Sequence, residues 1–392
     1  MFYSDRTWAE INLDSIKSNI LNVKSCLSEN TKIMAVVKAD GYGHGCLETI
    51  NTLIENGVDY LAVACLDEAI LIRKHGIKIP ILILGFSDEE RFEEIIDNNI
   101  TQTVYSLESA KKLSDVASEK GTKAKIHIKI DTGMSRIGYH YGFNEETDAQ
   151  IEKDIVKIVN LNGIDTEGIF THFSVADDPG DDFTQLQFSR FTKLLSNLEK
   201  KEISFKYRHC CNSAATIMFP EMHLDMVRLG IILYGYSPSE SVKCSFELKP
   251  AMQVKTRIIN INKISKGTSV SYGKKYVADK DMLIATIPIG YADGFSRVLS
   301  NKAKVIVNGK IVPVLGRICM DQCMIDVTSV NNICVGDEVT VFGRQGESFI
   351  PVESVAELSD TINYEILCRV GKRISRIYLK EGNVTKILNF LK

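Results

Sequence analysis

Lys38 closes the apolar run Ile33-Met34-Ala35-Val36-Val37 and is followed at once by Ala39-Asp40-Gly41-Tyr42-Gly43-His44-Gly45. An ammonium at the end of a buried strand loses hydration, which lowers its pKa and turns the amine into a usable nucleophile. Three glycines within five positions let the backbone approach a ligand closely, as a strand-to-helix anion loop does. A lysine that merely snorkels out of a core strand would share the first feature. Arg228-Leu229-Gly230-Ile231 sets a permanently charged donor beside a glycine whose backbone N–H groups can hold a phosphate. In Cys211-Asn212-Ser213-Ala214-Ala215, Ser213 suits either a helix N-cap or a phosphate-binding hydroxyl. Lys129 and Arg136, in Lys129-Ile130-Asp131-Thr132-Gly133-Met134-Ser135-Arg136, are two cations that repel if they meet. Tyr272, in Val270-Ser271-Tyr272-Gly273, reads locally as a packed aromatic of a β segment.

The elements that must carry these groups alternate. Strand-like runs fall at 32–37, 60–64, 79–84, 102–105, 125–130, 168–171, 206–209 and 226–229, with amphipathic helix patterns between them. That is eight β runs within residues 13–240, which predicts a (β/α)8 barrel of the TIM type rather than an open sheet. Every group above except Tyr272 then lies at a strand C-terminus, where such barrels do their chemistry. Past Pro238 the texture changes to alternating β-branched and polar residues, with Asn308-Gly309 as a hairpin signal and a short helix near 352–358. A mostly-β domain is expected over 241–392, and the β-like segment within 1–12 is expected to join it.

The chain has 392 residues, 25% of them charged, and a net charge of −3, so nothing draws it to nucleic acid or an anionic membrane. Its start has early acids and no apolar core of a signal peptide, and no apolar run reaches the ~20 residues of a membrane helix. A cytoplasmic location follows as the expectation. Ten cysteines without a secretion signal read as reduced thiols. Neither Cys210-Cys211 nor Cys319–Cys323 meets a second couple at zinc spacing, so no metal site is expected.

The string Val36-Val37-Lys38-Ala39-Asp40-Gly41-Tyr42-Gly43-His44-Gly45 closely resembles the cofactor-lysine motif of alanine racemases. The resemblance extends in ordered motifs from Trp8 to Tyr378, and it implies a homodimer that uses pyridoxal 5′-phosphate to interconvert L- and D-alanine for cell-wall precursors. In that family the lysine at position 38 bonds covalently to the cofactor. Asn212, Ser213, Gly230 and Ile231 match the phosphate-binding segments, joined by Tyr42 and Tyr364; Cys211 departs from the usual alanine. Arg228 would face the pyridine nitrogen; because guanidinium only donates, that nitrogen stays unprotonated and the electron sink is weak. Racemisation needs proton carriers on both faces of Cα, and the resemblance gives these roles to Lys38 and to Tyr272 of the second subunit. A phenol must become about 3 pKa units easier to ionise to serve as a base near neutral pH, and His172 with Arg228, backed by His209, would provide this. Lys129 as a carbamate would orient Arg136 near the substrate, though chloride or a carboxylate would serve as well. Met320 and Asp321 resemble the segment that binds the substrate carboxylate; Tyr291 and Tyr364 match an inner gate and a pocket wall.

Three alternatives stay open. A broader amino-acid (serine) racemase would share these motifs. A decarboxylase of basic amino acids has the same two domains but an acidic residue where Arg228 stands. A non-enzymatic carrier of the cofactor has the barrel alone.

Overall fold

The computed structural model describes residues 6–391; the reading of residues 1–5 as no signal peptide, and residue 392, lie outside them. Two compact units emerge. One comprises Lys17–Gly41 and Thr49–Leu248, the other the described residues through Ile16, Tyr42–Glu48 and everything from Lys249.

The first unit is the barrel. Its strands run in the spatial order Met226–Leu229, Lys32–Val36, Tyr60–Val63, Ile81–Ile83, Thr101–Val104, Ala124–Asp131, Ile164–Phe170 and Tyr207–His209. All these neighbours pair in parallel. The first and last are joined by backbone bonds from Asp225 N–H to Arg208 O (3.1 Å) and from Arg228 N–H to Cys211 O (3.0 Å), so the barrel is nearly closed. Parallel strands covered on both faces must be apolar throughout, and Tyr60–Val63 and Ile81–Ile83 are buried at every position.

Helices form where the 3.6-residue period permits. Leu107–Glu119 starts at Ser106, whose side chain accepts from Ser109 N–H, and buries Ala110, Leu113, Ser114 and Ala117 on one stripe. Glu145–Val159 starts at Asn144, which accepts from Glu146 and Thr147 N–H. The chain is thus α/β: a (β/α)8 barrel with a C-terminal mostly-β domain.

The second unit is built on a mostly antiparallel sheet. Thr7–Asn12 lies between Met252–Arg257, antiparallel, and Ser375–Lys380, parallel. Asn308 (φ 46°) and Gly309 (φ 74°) turn Lys304–Val307 back onto Lys310–Leu315, the paired positive φ values of a tight hairpin. Besides Val352–Leu358, a helix not anticipated from the pattern spans Asn363–Cys368 and carries Tyr364.

Candidate active site

The segment after Lys38 does not enter a right-handed helix. Ala39 (φ 52°, ψ 46°), Asp40 (φ 55°, ψ 47°) and Gly41 (φ 62°, ψ 45°) form a left-handed turn. Gly41 N–H closes it on Val37 O at 2.9 Å. From the first turn of helix Leu66–Lys74, Glu68 accepts Ala39 N–H on Oε1 (2.7 Å) and Ala64 N–H on Oε2 (2.8 Å). Glycines 43 and 45 also answer to something other than an anion. A Cβ on Gly43 would fall on Leu367 O, and one on Gly45 on the Tyr378 hydroxyl, so these two admit the chain's own neighbours.

Arg228 is fully buried and surrounded by acceptors. Nη1 donates to His209 Nδ1 (2.9 Å); Nη2 donates to Thr171 O (2.9 Å), His172 Nδ1 (3.0 Å) and Cys210 O (2.9 Å). A guanidinium only donates, so both Nδ1 atoms must accept, and both imidazoles are neutral with the proton on Nε2. Burial first, then the Arg228 charge, holds His172 and His209 well below the ordinary histidine pKa. His209 Nε2–H in turn donates to His127 Nδ1 at 2.8 Å. Among the described residues no carboxylate pairs with Arg228, and burial lowers its own pKa to about 10. On His172, the charges of Arg228, Lys129, Arg136 and Lys38 all add to that depression in this order, so four cations share one strand-end surface.

The seventh and eighth strand ends meet at Ser213, whose Oγ accepts Gly230 N–H at 2.9 Å. The helix cap is Asn212, which accepts from Ala215 N–H (2.9 Å), not Ser213; the serine hydroxyl keeps its hydrogen for another acceptor. Ile231 opens the short helical turn Ile231–Tyr234 directly after Gly230. Cys211 is buried with its Sγ 3.2 Å from Met222 O, so the departure from alanine is absorbed by packing.

Lys129 Nζ is buried and donates to Ile130 O at 2.6 Å. Burial, then the Arg228 charge, lowers its pKa to about 7, with Asp131 opposing and Arg136 adding to the effect. Asp131 shapes the following turn by accepting N–H from Gly133 (2.9 Å), Met134 (2.8 Å) and Ser135 (3.1 Å), which leads the chain to an exposed Arg136.

The remaining candidates belong to the second unit. Tyr42 and Tyr364 have ring centroids 6.0 Å apart, and burial pushes the Tyr42 phenol pKa up, leaving it a neutral donor. Tyr272 (70% exposed), Met320 (52%) and Tyr291 (42%) are all exposed. Ser271 Oγ donates to Arg317 O (2.6 Å), while Tyr291 and Ala292 N–H bind Cys319 O (3.1 Å) and Met320 O (3.0 Å). Asp321 accepts from Arg373 Nη2 (2.8 Å), and Arg6 links its carbonyl to Asp293 (3.0 Å and 2.7 Å).

Sequence reasoning passed over His127 and Glu68. His127 had a usable signal: it precedes Lys129 by two positions on one strand, so both face the same side. Glu68 had none beyond its place in the first turn of Leu66–Lys74. Among the described residues no group of His, Cys, Asp or Glu is arranged to hold a metal ion.

A near-closed barrel with a lysine, an arginine and a serine at its C-terminal strand ends, followed by a β domain, defines a class of barrel enzymes. The family profile "Alanine racemase, N-terminal domain" matches residues 11–238, and "Alanine racemase, C-terminal domain" matches 251–378. An alanine racemase of Clostridium novyi is 45% identical over 386 residues, covering 98% of both chains. One of Methanococcus maripaludis is 48% identical over 373 residues, 95% of this chain and 98% of its own. A solved alanine racemase of Clostridium difficile 630 superposes with a TM-score of 0.94 at 43% identity, covering 100% of both. That of Bacillus anthracis, with bound L-Ala-P, gives 0.92 at 36% identity, covering 100% of this chain and 99% of that one. The chain belongs to the alanine racemase family and is an isomerase.

Proposed function

We propose that this protein racemises alanine with pyridoxal 5′-phosphate and a two-base mechanism, acting as a homodimer that supplies D-alanine to cell-wall precursors in the cytoplasm. The domains are then an N-terminal segment 1–12 carrying the strand Thr7–Asn12, a cofactor-binding barrel over 13–240 and a β domain over 241–392. The observation that carries it is Arg228, a buried cation held only by neutral acceptors beside Lys129, Arg136 and Lys38. The donor set suits the cofactor: an amine for its aldehyde, the Ser213 hydroxyl hydrogen and backbone N–H groups for its phosphate, and a donor-only guanidinium for its ring nitrogen. Once bound, the cofactor supplies an electron sink that acidifies the amino-acid Cα–H. Lys38 moves a proton at one face of Cα and Tyr272 of the partner subunit at the other. His172, its Nδ1 engaged by Arg228, has only Nε2–H to offer and can stabilise an ionised phenol. Ser213, Gly230 and Ile231, with Tyr42 and Tyr364, hold the phosphate; Arg136 and Met320 orient the substrate carboxylate, with Tyr291 and Asp321 supporting that segment.

Loss of circular dichroism from L-alanine tests the activity, and borohydride should trap the cofactor on the peptide containing Lys38. No racemisation, or trapping on Lys129, would overturn the reading.

Lys129 should take up CO2. With a pKa of about 7, its amine is roughly half neutral at pH 7, against under about 0.1% for an ordinary lysine. Carbamylation consumes the neutral form, so uptake should strengthen as pH rises through 7. The resulting anion would replace the Lys129–Arg136 repulsion with a charge-assisted pair. A carbamate carbon resonance from labelled bicarbonate should be present in the native chain and absent in Lys129→Ala; persistence in the variant would place it elsewhere.

A further inference from the structure

We propose that Glu68 is a positioning residue for Lys38: its carboxylate holds the left-handed turn after Lys38, and that turn fixes the direction in which the lysine leaves its strand. The inference rests on the proposed role of Lys38 in holding the cofactor.

Ala39 and Asp40 are side-chain-bearing residues at φ 52° and 55°, a region that is costly for an L-residue because Cβ crowds the following carbonyl. Their short side chains do not remove that cost, so surrounding contacts must impose the conformation. One is local, Gly41 N–H to Val37 O at 2.9 Å. Another comes from Glu68, which accepts Ala39 N–H at 2.7 Å and Ala64 N–H at 2.8 Å with its two oxygens. Such bonds to a carboxylate are about twice as strong as neutral ones. The strands involved, Lys32–Val36 and Tyr60–Val63, already pair in parallel, and Val37 N–H reaches Ala62 O at 2.9 Å. Glu68 therefore extends the ladder by one rung past the point where the backbone turns away. Without it Ala39 would relax toward right-handed backbone, and Lys38 would pivot at its own Cα.

The experiment compares Glu68→Ala, Glu68→Gln, Ala39→Gly and Glu68→Ala with Ala39→Gly as holoenzymes. Glu68→Ala should lower kcat about 10- to 100-fold, the effect of a small misplacement of a reacting group, with KM nearly unchanged. The Ala39 amide should exchange its hydrogen much faster. Glycine accepts this backbone conformation without steric cost, so Ala39→Gly should recover most of kcat in the Glu68→Ala background and leave the native chain nearly unaffected. If Glu68→Ala fails to fold, Glu68→Gln, which keeps one acceptor and loses the other, should show a smaller loss with the same rescue. Native kcat in the Glu68 variants, or no rescue by Ala39→Gly in a folded variant, would overturn the role of Glu68. Borohydride trapping in the native enzyme separates the premise: trapping away from Lys38 removes the reading of that lysine and this proposal with it. Trapping at Lys38 with indifferent Glu68 variants removes only the role of Glu68.

Discussion

Mixing chains that carry Lys38→Ala with chains that carry Tyr272→Phe should restore roughly a quarter of native activity from two preparations that are each nearly inactive. Each substitution alone removes one of the two proposed proton carriers and should cost about 1000-fold or more in kcat. A two-fold symmetric dimer in which Lys38 of one chain serves with Tyr272 of the other has two equivalent sites. In a mixed dimer one site collects both defects and the other collects none. Random pairing makes about half the dimers mixed, each with one intact site of two. The supply of Tyr272 from a second chain accords with its surroundings. Tyr272 is 70% exposed, Met320 52% and Tyr291 42%, so all three are open to a second chain. Phenylalanine keeps the ring and removes only the hydroxyl, so docking should survive. Absence of recovery after confirmed subunit exchange would place Lys38 and Tyr272 in the same chain's site.

Arg228→Glu should lower racemisation about 100- to 1000-fold and create a long-lived, long-wavelength-absorbing species with alanine, together with more transamination. A carboxylate opposite the cofactor's ring nitrogen would favour its protonation and strengthen the electron sink, so negative charge at Cα would persist longer than a racemase needs. The surroundings add a second effect. Arg228 donates to His209, His172, Thr171 O and Cys210 O, and a glutamate can donate to none of them. Two carbonyl oxygens would then face a buried carboxylate, a loss of about 3 kcal/mol or more in stability. Unfolding curves should accordingly shift, and kinetics must be read below the new transition. Arg228→Lys keeps the charge but not the planar fork, so it should be milder in both respects. An unchanged spectrum with full activity would mean that Arg228 does not act on the ring nitrogen.

Several features were legible from residues alone because the physics behind them is local. Strands of a closed parallel barrel are covered on both faces, so they stand out as unbroken apolar runs such as Ile33–Val37. Asn308-Gly309 announced its hairpin because those two residue types tolerate positive φ, and Val352–Leu358 carried its helical period within its own length. The alternation of elements, and with it the strand-end location of Lys38, Arg136, Ser213 and Arg228, follows from such signals.

Other features required the chain to be folded. Asn212 and Ser213 are equally good caps by type, and only the approach of Gly230 showed which caps the helix and which faces the eighth strand end. His127 is one polar residue on a strand until barrel closure brings it to His209, and the proton positions of that pair follow from Arg228 being unable to accept. Thr7–Asn12 carries no mark of its two partners, which lie more than 200 residues away in sequence. The turn after Lys38 is the sharpest case. Ala39 and Asp40 prefer right-handed backbone, and the left-handed form is supported by a carboxylate from the first turn of another helix. Residue types and their period determined which elements form and where reactive groups fall along them; conformations held against local preference were decided by contacts between distant segments, because only those contacts repay the strain.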